Sequence, residues 1–294
     1  MTNKKFKGFV YMILASLIYG FTPILAKLAF EDGADSITIV FLRGAISLPF
    51  IAIIMKVGKI PFKIPKTLVL PLLLCGVVGY SLTSIFLYVS YSFIDVGLAV
   101  ALHYINPVLV TLACALIFRE KMSKNKWVAL ILCVLGVMCL LEATHSVNIQ
   151  GIIFGLLSGV CCAFYIISLD RSKLESLHYL TVTFYLVVIQ SIVSFSFGAL
   201  SGRLSFDLTQ AAWIYAVIIA ILVSICAVSL FQRGVMYAGP PTASMLSTLE
   251  PISVIAFGAI FLAEPMTISK IAGGALIILS VIALRPRSDK DSKS

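Results

Sequence analysis

Glu250 lies eight residues into an apolar run that opens at Thr242, and Pro251 follows it directly. If that run is a helix, the carboxyl sits about 12 Å along it, near the middle of a bilayer. A carboxyl at that depth is costly unless it is paired, protonated or facing water. Its chemistry is then proton carriage or the binding of a cation; the alternative is a structural residue held by hydrogen bonds. His103 and Asn106 stand one helical step apart, i to i+3, just before a second proline, Pro107. A histidine there can shuttle protons or touch a substrate, or it can be a satisfied core histidine. Each proline leaves the carbonyl four residues back without its helical donor, which frees His103 and Ser247. In lipid such carbonyls must meet a neighbour or a water-lined cavity. Arg43 is about 10 Å from the outer end of its run, too deep to reach the interface easily, and could bind an anionic group or pair with Glu250. Tyr80, Ser84 and Tyr88 recur at i, i+4 and i+8, and Tyr19 and Tyr165 fall in mid-run. Buried tyrosine hydroxyls need partners, and rings converging on one carboxylate would suit an organic ammonium through cation–π attraction. The competing reading of that stripe is plain packing.

These residues need elements that hold them inside a bilayer, and the composition supplies such elements. Of 294 residues 60% are hydrophobic and only 12% charged, with mean hydropathy +1.07. A soluble domain carries about 25% charged residues, so this chain has too little polar surface to face water. Ten apolar runs of helix length are expected, at 8–28, 36–56, 67–90, 96–118, 126–142, 150–169, 179–200, 210–231, 241–262 and 268–285. Turn formers separate them, among them Glu31-Asp32-Gly33, Lys59-Ile60-Pro61, Ser201-Gly202-Arg203 and Ala238-Gly239-Pro240-Pro241. The lysines ahead of Gly8 resemble a signal peptide, but the run to Ala26 is long enough to span and is read as an uncleaved first helix. The seven cysteines all sit in apolar runs and read as small buried hydrophobes. Gly155 with Gly159, and Gly273 with Gly274, read as points of close helix approach.

The formal net charge is +9, and its placement fits topology rather than nucleic acid. With the N-terminus inside, the cytoplasmic cations are Lys4, Lys5, Lys7, Lys56, Lys59, Lys63, Lys66, Arg119, Lys121, Lys124, Lys126, Arg171, Lys173, Arg233, Arg285, Arg287, Lys290 and Lys293, eighteen of the 22. Lys27, Arg203 and Lys270 fall outside, and Arg43 lies within a span. That asymmetry over short loops places both termini in the cytoplasm of a multi-pass plasma (inner) membrane protein. Gly33, Asp95 and Asn148 then face outward.

An internal repeat organises the spans. At a shift of 144, Gly97–Leu140 aligns without gaps on Pro241–Leu284, pairing Ala99 with Ala243, Pro107 with Pro251, Glu120 with Glu264, Met122 with Met266 and Lys126 with Lys270. A shift of 143 pairs Gly8 with Gly151, Phe21 with Phe164, Thr38 with Thr181 and Phe41 with Phe184. Five spans is an odd number, so the second half must be inverted relative to the first. Inverted repeats mark secondary transporters, with the site near the midplane where the halves meet. The expected fold class is all-α transmembrane, a ten-helix bundle of two inverted repeats at 8–142 and 149–286 with a cytoplasmic tail at 287–294.

The residues carry a resemblance. Lys27, Arg43, the segments Asn106-Pro107 and Phe118-Arg119-Glu120-Lys121, and their counterparts Leu249-Glu250-Pro251 and Leu262-Ala263-Glu264-Pro265 resemble the EamA-type family of the drug/metabolite transporter superfamily. The resemblance covers essentially the whole chain. It implies a ten-helix secondary transporter working by alternating access. It implies no particular substrate, since that family carries amino acids, nucleotide precursors, quaternary amines, sugars and drugs. The first half has Asn106 where the second has Glu250, which speaks against a mechanism with two symmetric carboxylates.

The leading reading is a transporter, in the export or exchange direction, of a small polar or amphipathic metabolite such as an amino acid, amine or drug. The expected substrate contacts are Tyr19, Arg43, Tyr80, Ser84, Tyr88, His103, Asn106, Tyr165, Ser247 and Glu250. Glu250 and His103 are the candidates for proton or cation coupling, and Pro107 and Pro251 are the helix breaks. Partners are the small molecule and the lipid, with the chain a monomer or homodimer. No metal or cofactor is expected. The sequence holds no GxGxxG, GxxxxGK[ST] or HExxH motif, and His145 and His178 fall in loops without ligand partners. The competing class is a membrane-embedded lipid-processing or scaffold protein without transport.

Overall fold

The computed structural model describes residues 3–94, 96–140, 148–261 and 266–284. Asp95, Glu142, His145, Glu264, Pro265, Arg285 and the tail 287–294 lie outside them. Among the described residues there are ten helical rods: α1 Asn3–Glu31, α2 Ser36–Val57, α3 Lys66–Ser90, α4 Leu98–Ile117, α5 Lys124–Leu140, α6 Ile149–Arg171, α7 Tyr179–Ser201, α8 Gln210–Ala238, α9 Pro240–Phe261 and α10 Ile268–Ala283. Eight are long and apolar enough to cross a bilayer by length and composition, while α5 and α10 are shorter. Each sequence span has its helix. The largest boundary difference is at α1, which starts at Asn3 rather than Gly8, and at α8, which runs to Ala238 rather than Phe231. Both extensions carry basic residues, exposed lysines on α1 and the half-buried Arg233 on α8.

The bundle is an all-α transmembrane fold of two inverted five-helix halves. Its packing repeats with the sequence. The helix α1 packs on α8 and α9 of the other half, and its counterpart α6 packs on α3 and α4. The pairs α2–α7 and α5–α10 face their own equivalents. Even the irregularities recur. A π-helical segment interrupts α3 at Cys75–Ser81 and α8 at Ala220–Ala227, equivalent places in the two halves. Such wide turns cluster at functional sites.

Close approach uses small residues. A Cβ on Gly159 would come within 2.6 Å of the His103 carbonyl oxygen, and one on Gly79 within 2.9 Å of the Tyr165 backbone. Gly136 would meet the Gly273 carbonyl at 2.9 Å, whereas Gly274 has open space and makes no such approach. All seven cysteines are free, none of them solvent-exposed.

Candidate functional site: a cavity between the halves

Both proline breaks form. The α4 rod is interrupted after His103 and restarts at Asn106, and α9 is interrupted after Leu246 and restarts at Leu249. The two freed carbonyls find donors, as the cost of an orphaned carbonyl in lipid demands. Asn106 Nδ2 turns back onto the His103 oxygen at 3.1 Å. The Tyr104 hydroxyl crosses to the other half and donates to the Ser247 oxygen at 2.8 Å, where the Glu250 amide also donates at 2.9 Å.

The breaks border a cavity of about 100 Å³ walled by α1, α2, α3, α4, α6, α8 and α9. Nine of the ten expected substrate contacts line it: Tyr19, Arg43, Tyr80, Ser84, Tyr88, His103, Tyr165, Ser247 and Glu250. Asn106 does not. It is buried, its amide is spent on the break, and its Oδ1 has no partner among the described residues.

Arg43 is 4% exposed. Its Nη2 donates to Ser84 Oγ at 2.7 Å, and the Ser84 hydroxyl in turn donates to the Tyr80 carbonyl at 3.0 Å. The guanidinium lies 5.9 Å from the Tyr80 ring centre and 5.7 Å from that of Tyr88. The aromatic stripe expected for an organic ammonium therefore serves the chain's own arginine. Nor does Arg43 pair with Glu250. The described ion pairs join Arg171 to Glu120 and Asp170, and Arg203 to Asp35. Spacing along each helix gave both residues their depth, but not the direction in which each side chain points.

His103 is fixed by α6. Its Nδ1 is 3.0 Å from Ser158 Oγ, and that hydroxyl donates onward to the Gly155 carbonyl at 2.6 Å. The one Ser158 hydroxyl hydrogen is engaged at Gly155, so Nδ1 is the donor to Ser158, and in the neutral ring Nε2 keeps the lone pair. The rest of the wall is aromatic. Tyr165 stacks on Phe231 at 5.8 Å, Tyr80 approaches Tyr165 at 5.7 Å, and Tyr91 continues the stripe 5.5 Å beyond Tyr88. The hydroxyls of Tyr80, Tyr88 and Tyr165 and the Arg43 Nε are buried without a hydrogen-bond partner among the described residues. Buried polar atoms ordinarily have one, so this wall offers unused donors.

Tyr91, Tyr104, Cys162 and Phe231 also line the cavity and were not singled out from the sequence. Tyr91 extends the Tyr80–Tyr88 face by one further turn and was legible from spacing. Tyr104 was not, since it neighbours His103 and only the helix interruption turns both toward one space.

At the end of the bundle away from Tyr91, two arginines lie over aromatic rings. Arg233 sits 3.8 Å from the Tyr179 ring centre and 5.4 Å from that of Tyr11. Burial first, and Arg233 second, hold the neighbouring His178 below the ordinary imidazole range. Arg171 covers the Phe118 ring at 4.6 Å and pairs with Glu120.

A family model described as the EamA-like transporter family matches residues 6–142 and again 149–285. The chain belongs to that family. It is 29% identical to a protein of Archaeoglobus fulgidus named as an uncharacterized transporter, over 96% of this chain and all of that one. It is also 29% identical to the threonine/homoserine exporter RhtA of Escherichia coli K12, covering 92% of this chain and 89% of the exporter. A solved structure titled only as a crystal structure of a protein shares the fold, with a TM-score of 0.79, 15% identity and 96% of each chain covered. The protein is thus a multi-pass membrane transporter and not an enzyme.

Proposed function

We propose that this transporter exports a small zwitterion of the amino-acid class in exchange for protons, by alternating access in the plasma (inner) membrane. One observation carries the reading: Arg43 and Glu250 border the same cavity without an ion pair to each other or to any described residue. A buried charge that lacks a partner is expensive. A ligand with a carboxylate for Arg43 and an ammonium for Glu250 would pair both at once. A lone organic ammonium fits less well, because the Tyr80 and Tyr88 faces already hold the Arg43 guanidinium. The relationship to an exporter named for threonine and homoserine points the same way. Glu250 is also the carboxyl within the cavity that can carry a proton in place of the ammonium, with His103 as the second titratable group. Both termini are proposed to be cytoplasmic on the distribution of cations. With that orientation Tyr91 stands toward the outside, and Arg233 and Arg171 lie toward the cytoplasm, each over an aromatic ring.

The test is competition against labelled threonine in counterflow by proteoliposomes. The expected result is competition by unlabelled threonine and none by 1-amino-2-propanol, which lacks the carboxylate, or by 3-hydroxybutyrate, which lacks the ammonium. Equal competition by the amine would overturn the zwitterion reading.

A further inference from the structure

The Tyr104 hydroxyl has a single proton and two neighbours that want it. It donates to the Ser247 carbonyl in the opposite half at 2.8 Å, the oxygen that also accepts from the Glu250 amide at 2.9 Å, and Tyr104 and Glu250 line the same cavity. Tyr104 is 4% exposed, and its ring meets His103 edge-on at 5.5 Å. It therefore belongs to the α4 break, touches the α9 break, and faces the ionisable group between them. A hydrogen bond to an ionised carboxylate is about twice as strong as one to a neutral carbonyl.

We propose that Tyr104 is the positioning residue that ties the two breaks together, with the direction of its hydroxyl set by whether Glu250 holds a proton. When Glu250 is ionised the hydroxyl turns to the carboxylate, and the Ser247 carbonyl keeps only the Glu250 amide. When Glu250 is protonated, its carboxyl can donate to the Tyr104 oxygen, and Tyr104 donates to Ser247, which joins α4 to α9. Tyr104 keeps its own proton throughout; the proton that moves is the one on Glu250. The link rests on the proposed role of Glu250 as proton carrier. The other titratable or charged groups that line the cavity with Glu250 are Tyr19 on α1, Arg43 on α2, Tyr80 and Tyr88 on α3, Tyr91 just after it, His103 on α4, and Cys162 and Tyr165 on α6. Of these His103 alone has an unperturbed pKa near neutrality. A Glu250→Gln variant with His103 intact separates the two.

The experiment is hydrogen–deuterium exchange of the ligand-free protein in nanodiscs, from about pH 5 to 9, corrected for the intrinsic pH dependence of exchange. It follows peptides from α4 and α9. In the wild type both segments should change together with one midpoint, and in Glu250→Gln neither should change. In Tyr104→Phe, which keeps the ring, α9 should still respond while the α4 response is lost. A purely structural hydroxyl would instead raise exchange by the same factor at every pH. Coupled responses in Tyr104→Phe identical to the wild type, or no response in the wild type, would overturn the proposal. Because no substrate is present, a failure of threonine counterflow would count against the substrate reading alone.

Discussion

At the α4 break, Asn106 folds back on the His103 carbonyl of its own helix. At the α9 break the residue in the same register is Glu250, and the freed Ser247 carbonyl is met by Tyr104 from the other half. The same contrast holds one layer out. Gly159 on α6 and Ser16 on α1 are repeat equivalents: the glycine lets α6 press against the His103 carbonyl, while the serine donates to the Met12 carbonyl at 2.8 Å and reaches the Leu246 carbonyl at 3.3 Å. Two copies of one backbone device have thus been finished with different side chains. The α4 break is closed and self-contained. The α9 break keeps an ionisable group and depends on its partner. A bundle with a symmetric scaffold can in this way hold an asymmetric site, with the cation on the first half and the carboxyl on the second.

Substitutions at these paired positions should show the asymmetry. The largest effect is expected at Gly159→Ala, since the new Cβ would lie within 2.6 Å of both the His103 oxygen and Ile105 Cγ2. Overpacking of this kind costs about 1–3 kcal/mol, read as a lowered thermal midpoint in detergent. Asn106→Ala should cost about 1 kcal/mol, because it leaves the buried His103 carbonyl without its side-chain donor. Ser16→Ala should be the mildest of the three, at about 0.6 kcal/mol, the average for a hydrogen bond between membrane helices. If Ser16→Ala proved as harmful as Gly159→Ala, the two breaks would be packed alike and the contrast would fail.

The fold was readable from the chain because a bilayer imposes few options. Span length, the shifts of 143 and 144 and the odd number of spans per half leave little freedom in topology. The site was readable to the extent that depth matters: Tyr19, Tyr165 and Glu250 were placed mid-span and Arg43 well inside its span by counting along their helices, His103 was marked by the proline after it, and all five line one cavity. Direction around each helix was not readable. It sent Arg43 to Ser84 and the tyrosine rings rather than to Glu250, and it turned Asn106 onto its own backbone. Tyr104 was hidden for a related reason. Helical spacing places residues 103 and 104 on different faces, and the interruption between α4 segments sets aside that rule just where both reach the cavity.

The central claim is that Glu250 couples protons to the movement of a ligand held against Arg43. Glu250→Gln preserves size and much of the hydrogen bonding but cannot ionise. In proteoliposomes loaded with labelled threonine, this variant should lose efflux driven by a pH gradient; exchange without a gradient should persist but need more threonine, since the amide oxygen accepts from the ammonium without the carboxylate's charge. Gradient-driven efflux at the wild-type rate in Glu250→Gln would contradict the account, leaving Glu250 a structural residue of the α9 break.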